Sequence, residues 1–111
     1  MNSEITYDLH AFITLLPTEK GGRHTPISSG YMPSLTFNTV RHYDGQLILN
    51  GKKNLKPGDS GDVTIHMLPA VTLSKNLKTS DSFTLNEGNK AIGSGVILDV
   101  LKKSERKVNN R

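Results

Sequence analysis

Arg23, His24 and Thr25 follow the pair Gly21-Gly22 and precede Pro26. A guanidinium, an imidazole and a hydroxyl gathered on one loop are groups that bind an anion or the polar surface of a partner. Two glycines free the backbone to turn, and Pro26 ends the turn by fixing its own φ and pushing Thr25 toward extended geometry. Such a loop needs strands on either side to hold it still.

Catalysis finds little to work with elsewhere. His10, His24, His42 and His66 lack a ligand spacing such as H-x-x-x-H, and without cysteine a zinc site would require carboxylates that form no cluster in the sequence. No G-x-S-x-G elbow occurs, and no pair of carboxylates marks itself as acid and base. G-x-x-x-x-G-K-[ST] is absent, and Gly93-x-Gly95 lies inside a strand pattern where no helix N-terminus could hold a phosphate. The expectation is a non-enzyme with no metal, no cofactor and no bound nucleotide.

A chain of 111 residues has room for one domain, and the absence of cysteine excludes disulfides. No apolar run approaches the roughly 18 residues of a membrane span, and the polar residues 1–4 do not open a signal peptide. A cytoplasmic protein that does not use a membrane is expected. Its net charge of +4 is unevenly placed. Residues 1–101 hold nine Lys/Arg and nine Asp/Glu, whereas 102–111 hold Lys102, Lys103, Arg106, Lys107 and Arg111 against Glu105 alone. Such a segment reads as a solvated, frayed tail, with contact to nucleic acid or an acidic surface as the other reading.

The elements that must position the loop have a hydrophobic period of 2. Ile5, Tyr7, Leu9, Ala11, Ile13 and Leu15 alternate with Thr6, Asp8, His10, Phe12 and Thr14, a long strand with one buried face that Pro17 closes. Residues 35–40 read as a short strand, Tyr43-Asp44-Gly45 as a turn before strand 46–49, and Asn50-Gly51 as another turn. Pro57-Gly58 suits a type II turn ahead of the alternation at Val63, Ile65 and Met67. Residues 68–73 continue as strand, with Pro69 at an edge or bulge. Strands 82–86 and 91–101 follow, the second with Ile92, Val96, Leu98 and Val100 on one face and Gly93 and Gly95 where a barrel bends or backbones approach. With no amphipathic helix, the pattern predicts an all-β sandwich or small barrel.

Five motifs carry a more specific resemblance. Gly21-Gly22-Arg23-His24-Thr25-Pro26, Gly30-Tyr31-x-Pro33, Pro57-Gly58-Asp59, Val71-x-Leu73 and Phe83-x-Leu85-x-Glu87-Gly88-x-Lys90-x-Ile92-Gly93-x-Gly95-Val96 stand in order and at comparable spacing. Over about residues 4–101 the chain thereby resembles the C-terminal β-barrel, domain 3, of bacterial translation elongation factor Tu. The resemblance implies a single six-stranded antiparallel closed β-barrel over residues 1–101, and the charge pattern leaves 102–111 as a basic, disordered tail. It also implies a stand-alone version of that barrel, separate from the GTPase domain.

In elongation factor Tu this barrel helps to hold the T-arm of aminoacyl-tRNA, packs on the GTPase domain and meets elongation factor Ts. The resemblance therefore implies a non-catalytic binding module. Its partner is expected to be a translation factor or regulator, or a GTPase domain supplied in trans, with tRNA as the alternative. The tRNA-facing Arg-His pair falls on Arg23 and His24, with Thr25 beside it, and the Glu-Gly pair on Glu87 and Gly88. Arg23 can fork onto a phosphate, and the Gly88 amide can approach a 2′-hydroxyl. Ser34 stands where glutamine is usual and Asp44 where threonine is usual, and a carboxylate repels phosphates. Equally, Arg23, His24 and Thr25 can close the loop on itself, and Glu87-Gly88 can be a hairpin turn.

Overall fold

Strand β1, Asn2–Leu15, buries Tyr7, Leu9, Ala11, Ile13 and Leu15 and turns Phe12 and Thr14 to solvent, as a period of 2 dictates. The computed structural model describes residues 2–38, 41–70 and 77–108. In these, a 3-10 turn at Thr18–Lys20 and the strands β2 (Ile27–Ser28), β3 (Ser34–Thr36), β4 (Tyr43–Leu49), β5 (Asn54–Leu55), β6 (Ser60–Met67), β7 (Ser82–Glu87) and β8 (Lys90–Val108) follow β1. Six of the strands close into an antiparallel barrel in the order β1-β6-β4-β3-β7-β8, with β8 returning to pair with β1. The expected barrel is the observed one.

Inside it, Leu9, Ile13, Leu35, Leu47, Val63, Ile65, Leu85 and Ile97 are wholly buried. Each such side chain contributes about 1.5–3 kcal/mol relative to exposure. The Phe37 ring tilts against Phe83 at 5.6 Å and Tyr43 at 6.4 Å. Gly95 faces this cluster, where a Cβ would lie 2.5 Å from Cζ of Phe83 and 2.9 Å from Cγ2 of Ile13. The missing side chain makes room for the aromatic ring. A short β2–β5 pair, not anticipated from the sequence, buries Ile27 and Leu55 against the core.

Several boundaries differ from the sequence reading. Tyr43-Asp44-Gly45 is not a turn but the start of β4, with Gly45 opposite Met67. A Cβ on Gly45 would meet Leu35 Cδ1 at 2.8 Å, so this glycine answers to packing rather than to chain reversal. β6 ends at Met67, where Leu68 turns to solvent ahead of Pro69, which has no amide to donate; of the strand expected at 68–73, Ala70 bridges Ile5 and positions 71–73 lie outside the described residues. The Val71-x-Leu73 motif lies outside the described residues, as do positions 39 and 40 of the expected strand 35–40. The Pro57-Gly58 turn is closed by the Asp59 amide on the Lys56 carbonyl at 3.0 Å.

In β8 the expected single apolar face is broken. Register shifts against β1 fall between Asp8 and Leu9 and between His10 and Ala11, leaving Leu101 and Leu98 as the extra residues. Ile97 is therefore buried while Leu98, expected inside, is exposed.

Of the expected disordered tail 102–111, the described residues 102–108 are instead a strand, and 109–111 lie outside the described residues. Residues 102–108 continue β8 and pair with residues 2–8 of β1, Lys102 opposite Asp8 and Arg106 opposite Glu4. The first residues of β1 need a hydrogen-bonding neighbour, and the basic segment provides it. Arg106 forms an ion pair with Glu4, and the Lys103 ammonium lies 5.9 Å from the Tyr7 ring centre.

Candidate functional site

The loop that carries Arg23 is folded back on the end of β1. The amides of Lys20 and Gly22 both donate to the Pro17 carbonyl at 3.0 Å, and Gly21 takes a left-handed φ of +93°. Gly22 is buried so tightly against Leu16 that any Cβ would strike the Leu16 carbonyl. The Thr18 hydroxyl then donates to the Arg23 carbonyl, fixing where the arginine side chain leaves the backbone.

The other half of the site is the hairpin between β7 and β8. Glu87 pairs with Lys90 across a two-residue loop, and Gly88 opens that loop with a φ of +59°. Between the two halves comes Tyr31. Its amide donates to the Ser28 carbonyl at 3.1 Å and its carbonyl accepts from Leu47 of β4 at 2.8 Å.

The three parts meet in one network. Nη1 of Arg23 donates to Oε2 of Glu87, and the Tyr31 hydroxyl donates to the same oxygen. The guanidinium carbon lies 4.8 Å from the Tyr31 ring centre, within cation–π range. Its remaining donors turn inward to its own loop, Nε to the Thr25 carbonyl at 3.2 Å and Nη2 to Thr25 Oγ1 at 3.0 Å. Burial against these groups raises the Tyr31 phenol above its ordinary value of 10.0, opposed by the positive charge of Arg23. The Arg23 side chain is only 20% exposed.

Of the sequence-derived candidates, Arg23, Thr25 and Glu87 are thus brought into a single hydrogen-bonded cluster. His24 and Gly88 are exposed on the two loops that the cluster ties together. Tyr31, which the sequence presents only within the Gly30-Tyr31-x-Pro33 motif, is a central member of the cluster. Its signal was a large aromatic carrying a polar tip in an otherwise small-residue loop.

Ser34 and Asp44 are cross-strand partners on β3 and β4, and Ser34 also pairs with Asn86, the residue before Glu87. Ser34 Oγ lies 2.9 Å from Nδ1 of His42, and Asp44 is exposed. The surface beside Glu87 therefore carries a second carboxylate. His10 bonds Asp62 at 3.3 Å and His66 bonds Asp8 at 2.9 Å on the solvent side of β1 and β6. Among the described residues no group of three or more His, Cys, Asp or Glu is placed to hold a metal ion. No described helix is long and apolar enough to cross a membrane.

The arrangement offers a barrel end whose cation is already neutralised, bordered by exposed polar loops. Compared with known protein families, residues 4–101 match the family described as the elongation factor Tu C-terminal domain.

Proposed function

The chain belongs to the family of the elongation factor Tu C-terminal domain, and from that premise we propose that it is a non-catalytic, cytoplasmic binding module that docks on a protein partner of translation. The docking face is the barrel end formed by Arg23, His24, Thr25, Glu87 and Gly88. The partner is a protein that grips this barrel in elongation factor Tu, or a GTPase domain supplied in trans.

The observation that supports protein over RNA is the Arg23–Glu87 pair. An arginine reads a phosphate by presenting two parallel N–H groups. Here those groups are engaged by the Glu87 carboxylate and by Thr25, and a phosphate would have to displace one and sit beside the other. Asp44, exposed nearby, adds repulsion. A protein surface with a complementary donor and acceptor meets no such cost.

The test is calorimetric titration of the purified chain with elongation factor Ts and, separately, with an isolated elongation factor Tu GTPase domain, beside a tRNA gel-shift series at rising salt. Saturable binding to a protein that weakens little with salt supports the reading. Phosphate contacts would instead weaken steeply as salt rises. A tRNA shift with that steep dependence, lost in Arg23→Ala, replaces protein docking by RNA binding.

A further inference from the structure

β8 outruns its neighbour. Its pairing with β7 runs from Lys90 opposite Glu87 to Val96 opposite Ser82, and is finished by the mutual bonds of Ile97 with Ser80 and Asp81. Beyond Leu98, β8 continues to Val108 with β1 on one side, and no strand pairs with its other side among the described residues. β6 meets β1 only from Asp8 onward, so residues 2–7 and 103–108 form a two-stranded ribbon, which Ala70 joins to the barrel by an antiparallel bridge to Ile5. The described molecule accordingly measures 48 Å by 28 Å by 23 Å. This ribbon lies at the end of β8 remote from the Glu87-Gly88 hairpin, and it extends past residue 101, where the family match stops.

An unpaired strand edge is a row of backbone donors and acceptors ready for another strand. Proteins that leave such an edge idle twist, shorten or cover it. This one is long and carries a particular chemistry. Lys102, Lys103, Arg106 and Lys107 stand on β8 with Glu105 as its one acid in that stretch, whereas Glu4 and Asp8 stand on β1, on the far side of the ribbon. The positive charge is thus displaced toward the edge. A polyanion lying across the ribbon face would meet the carboxylates of β1, while a strand laid along the edge of β8 meets Lys102 and Lys107 beside the Glu4-paired Arg106, with Asp99 and Glu105 as the acids of residues 99–108. At the barrel end of the same edge the two bulge residues Leu98 and Leu101 are 40% and 53% exposed.

A second copy of the chain is a poor occupant. Antiparallel pairing of two such edges centred on Glu105 sets Lys103 against Lys107, and centring between Ser104 and Glu105 sets Lys102 against Lys107 and Lys103 against Arg106. Like charges directly opposite one another destabilise a strand pair.

We propose that residues 99–108 of β8 accept an added β-strand from an acidic, extended segment of a partner protein, with carboxylates on one face of that strand set against Lys102 and Arg106, which share a face of β8. Main-chain bonds give such an interaction its affinity, and the alternating side chains give it selectivity. The site is separate from the barrel end assigned above and does not depend on that assignment.

The experiment titrates the full chain with a synthetic peptide of about ten residues alternating glutamate and valine, at neutral pH, and follows the backbone amides by NMR. The expected result is a set of shifts confined to residues 98–108 and their β1 partners, with slowed amide exchange on β8. Replacing Lys102 and Arg106 together by glutamine is expected to weaken binding about tenfold or more. A fully N-methylated peptide of the same sequence keeps the charge but offers no strand edge, and it is expected not to bind. Binding of the N-methylated peptide as tightly as the parent overturns strand addition whatever the variant does. Absence of any shift with the parent peptide overturns the proposal, as does a single-stranded RNA of comparable charge that shifts these amides when the peptide does not.

Discussion

Arg23 and Glu87 lie 64 residues apart in the chain, and the guanidinium of one donates to the carboxylate of the other across the end of the barrel. Tyr31 stacks on the first and donates to the second, so the pair is held between a ring and two loop backbones. The same contact ties the loop to the β7–β8 hairpin.

Removing the arginine tests its structural share. Arg23→Ala is expected to lose roughly 1–2 kcal/mol, because a partly exposed ion pair contributes at most about 1 kcal/mol and the Thr25 contacts add a comparable amount. Arg23→Lys should recover only part of this, since an ammonium cannot reach Glu87 and Thr25 together with a planar fork. Urea unfolding of the three proteins measures the series. Equal stability throughout would mean that the cluster contributes nothing to holding the barrel end.

Tyr31 gives the fold an alkaline signature. Its folded pKa lies above the ordinary 10.0, so above that pH the unfolded chain releases the phenolic proton while the folded chain still holds it. With fewer protons bound in the unfolded state, stability falls as pH rises. The contribution is complete below about pH 10 and is lost as pH climbs through the folded value. Tyr31→Phe should remove this part of the alkaline loss, read from urea midpoints between neutral and strongly alkaline pH. A variant whose midpoints fall as steeply as the wild type would contradict it.

Gly95 should be intolerant of a side chain. Gly95→Ala puts a Cβ against the Phe83 ring and Ile13, and overpacking of this kind costs about 1–3 kcal/mol. In a Phe83→Leu background the added penalty should shrink, because the ring edge that collides is gone. A double-mutant cycle in which the two changes simply add would show that ring and glycine are not coupled.

Deleting residues 102–111 separates a strand from a tail. Loss of a disordered tail would leave stability and amide exchange unchanged. Loss of the β8 extension strips residues 2–8 of their β8 partner and uncovers Tyr7, now 1% exposed. Exchange of the β1 amides at residues 4 and 6, which face β8, should accelerate strongly, and more than that of Ile5, whose amide donates to the Ala70 carbonyl. The stability loss should be about 1–2 kcal/mol, while Leu9 to Leu15, still paired with β6 or β8, keep their protection.

The sequence by itself determined the all-β class, the buried face of β1, the Pro57-Gly58 turn and the five motifs whose order placed the chain in its family. Each of these is local. A period of 2 assigns a face, proline and glycine assign a turn, and spacing along the chain assigns a motif. What depends on residues far apart was decided by the tertiary structure. Alternation breaks where bulges insert Leu98 and Leu101, and a bulge is a property of two strands in register. Gly45 packs rather than turns because Leu35 and Ile65 lie above it. The basic residues after 101 carry the charge that composition gave them, but their becoming a strand depended on β1 having an unmatched beginning. Arg23 and Glu87 were legible as two loops; only barrel closure brings them close enough to neutralise each other.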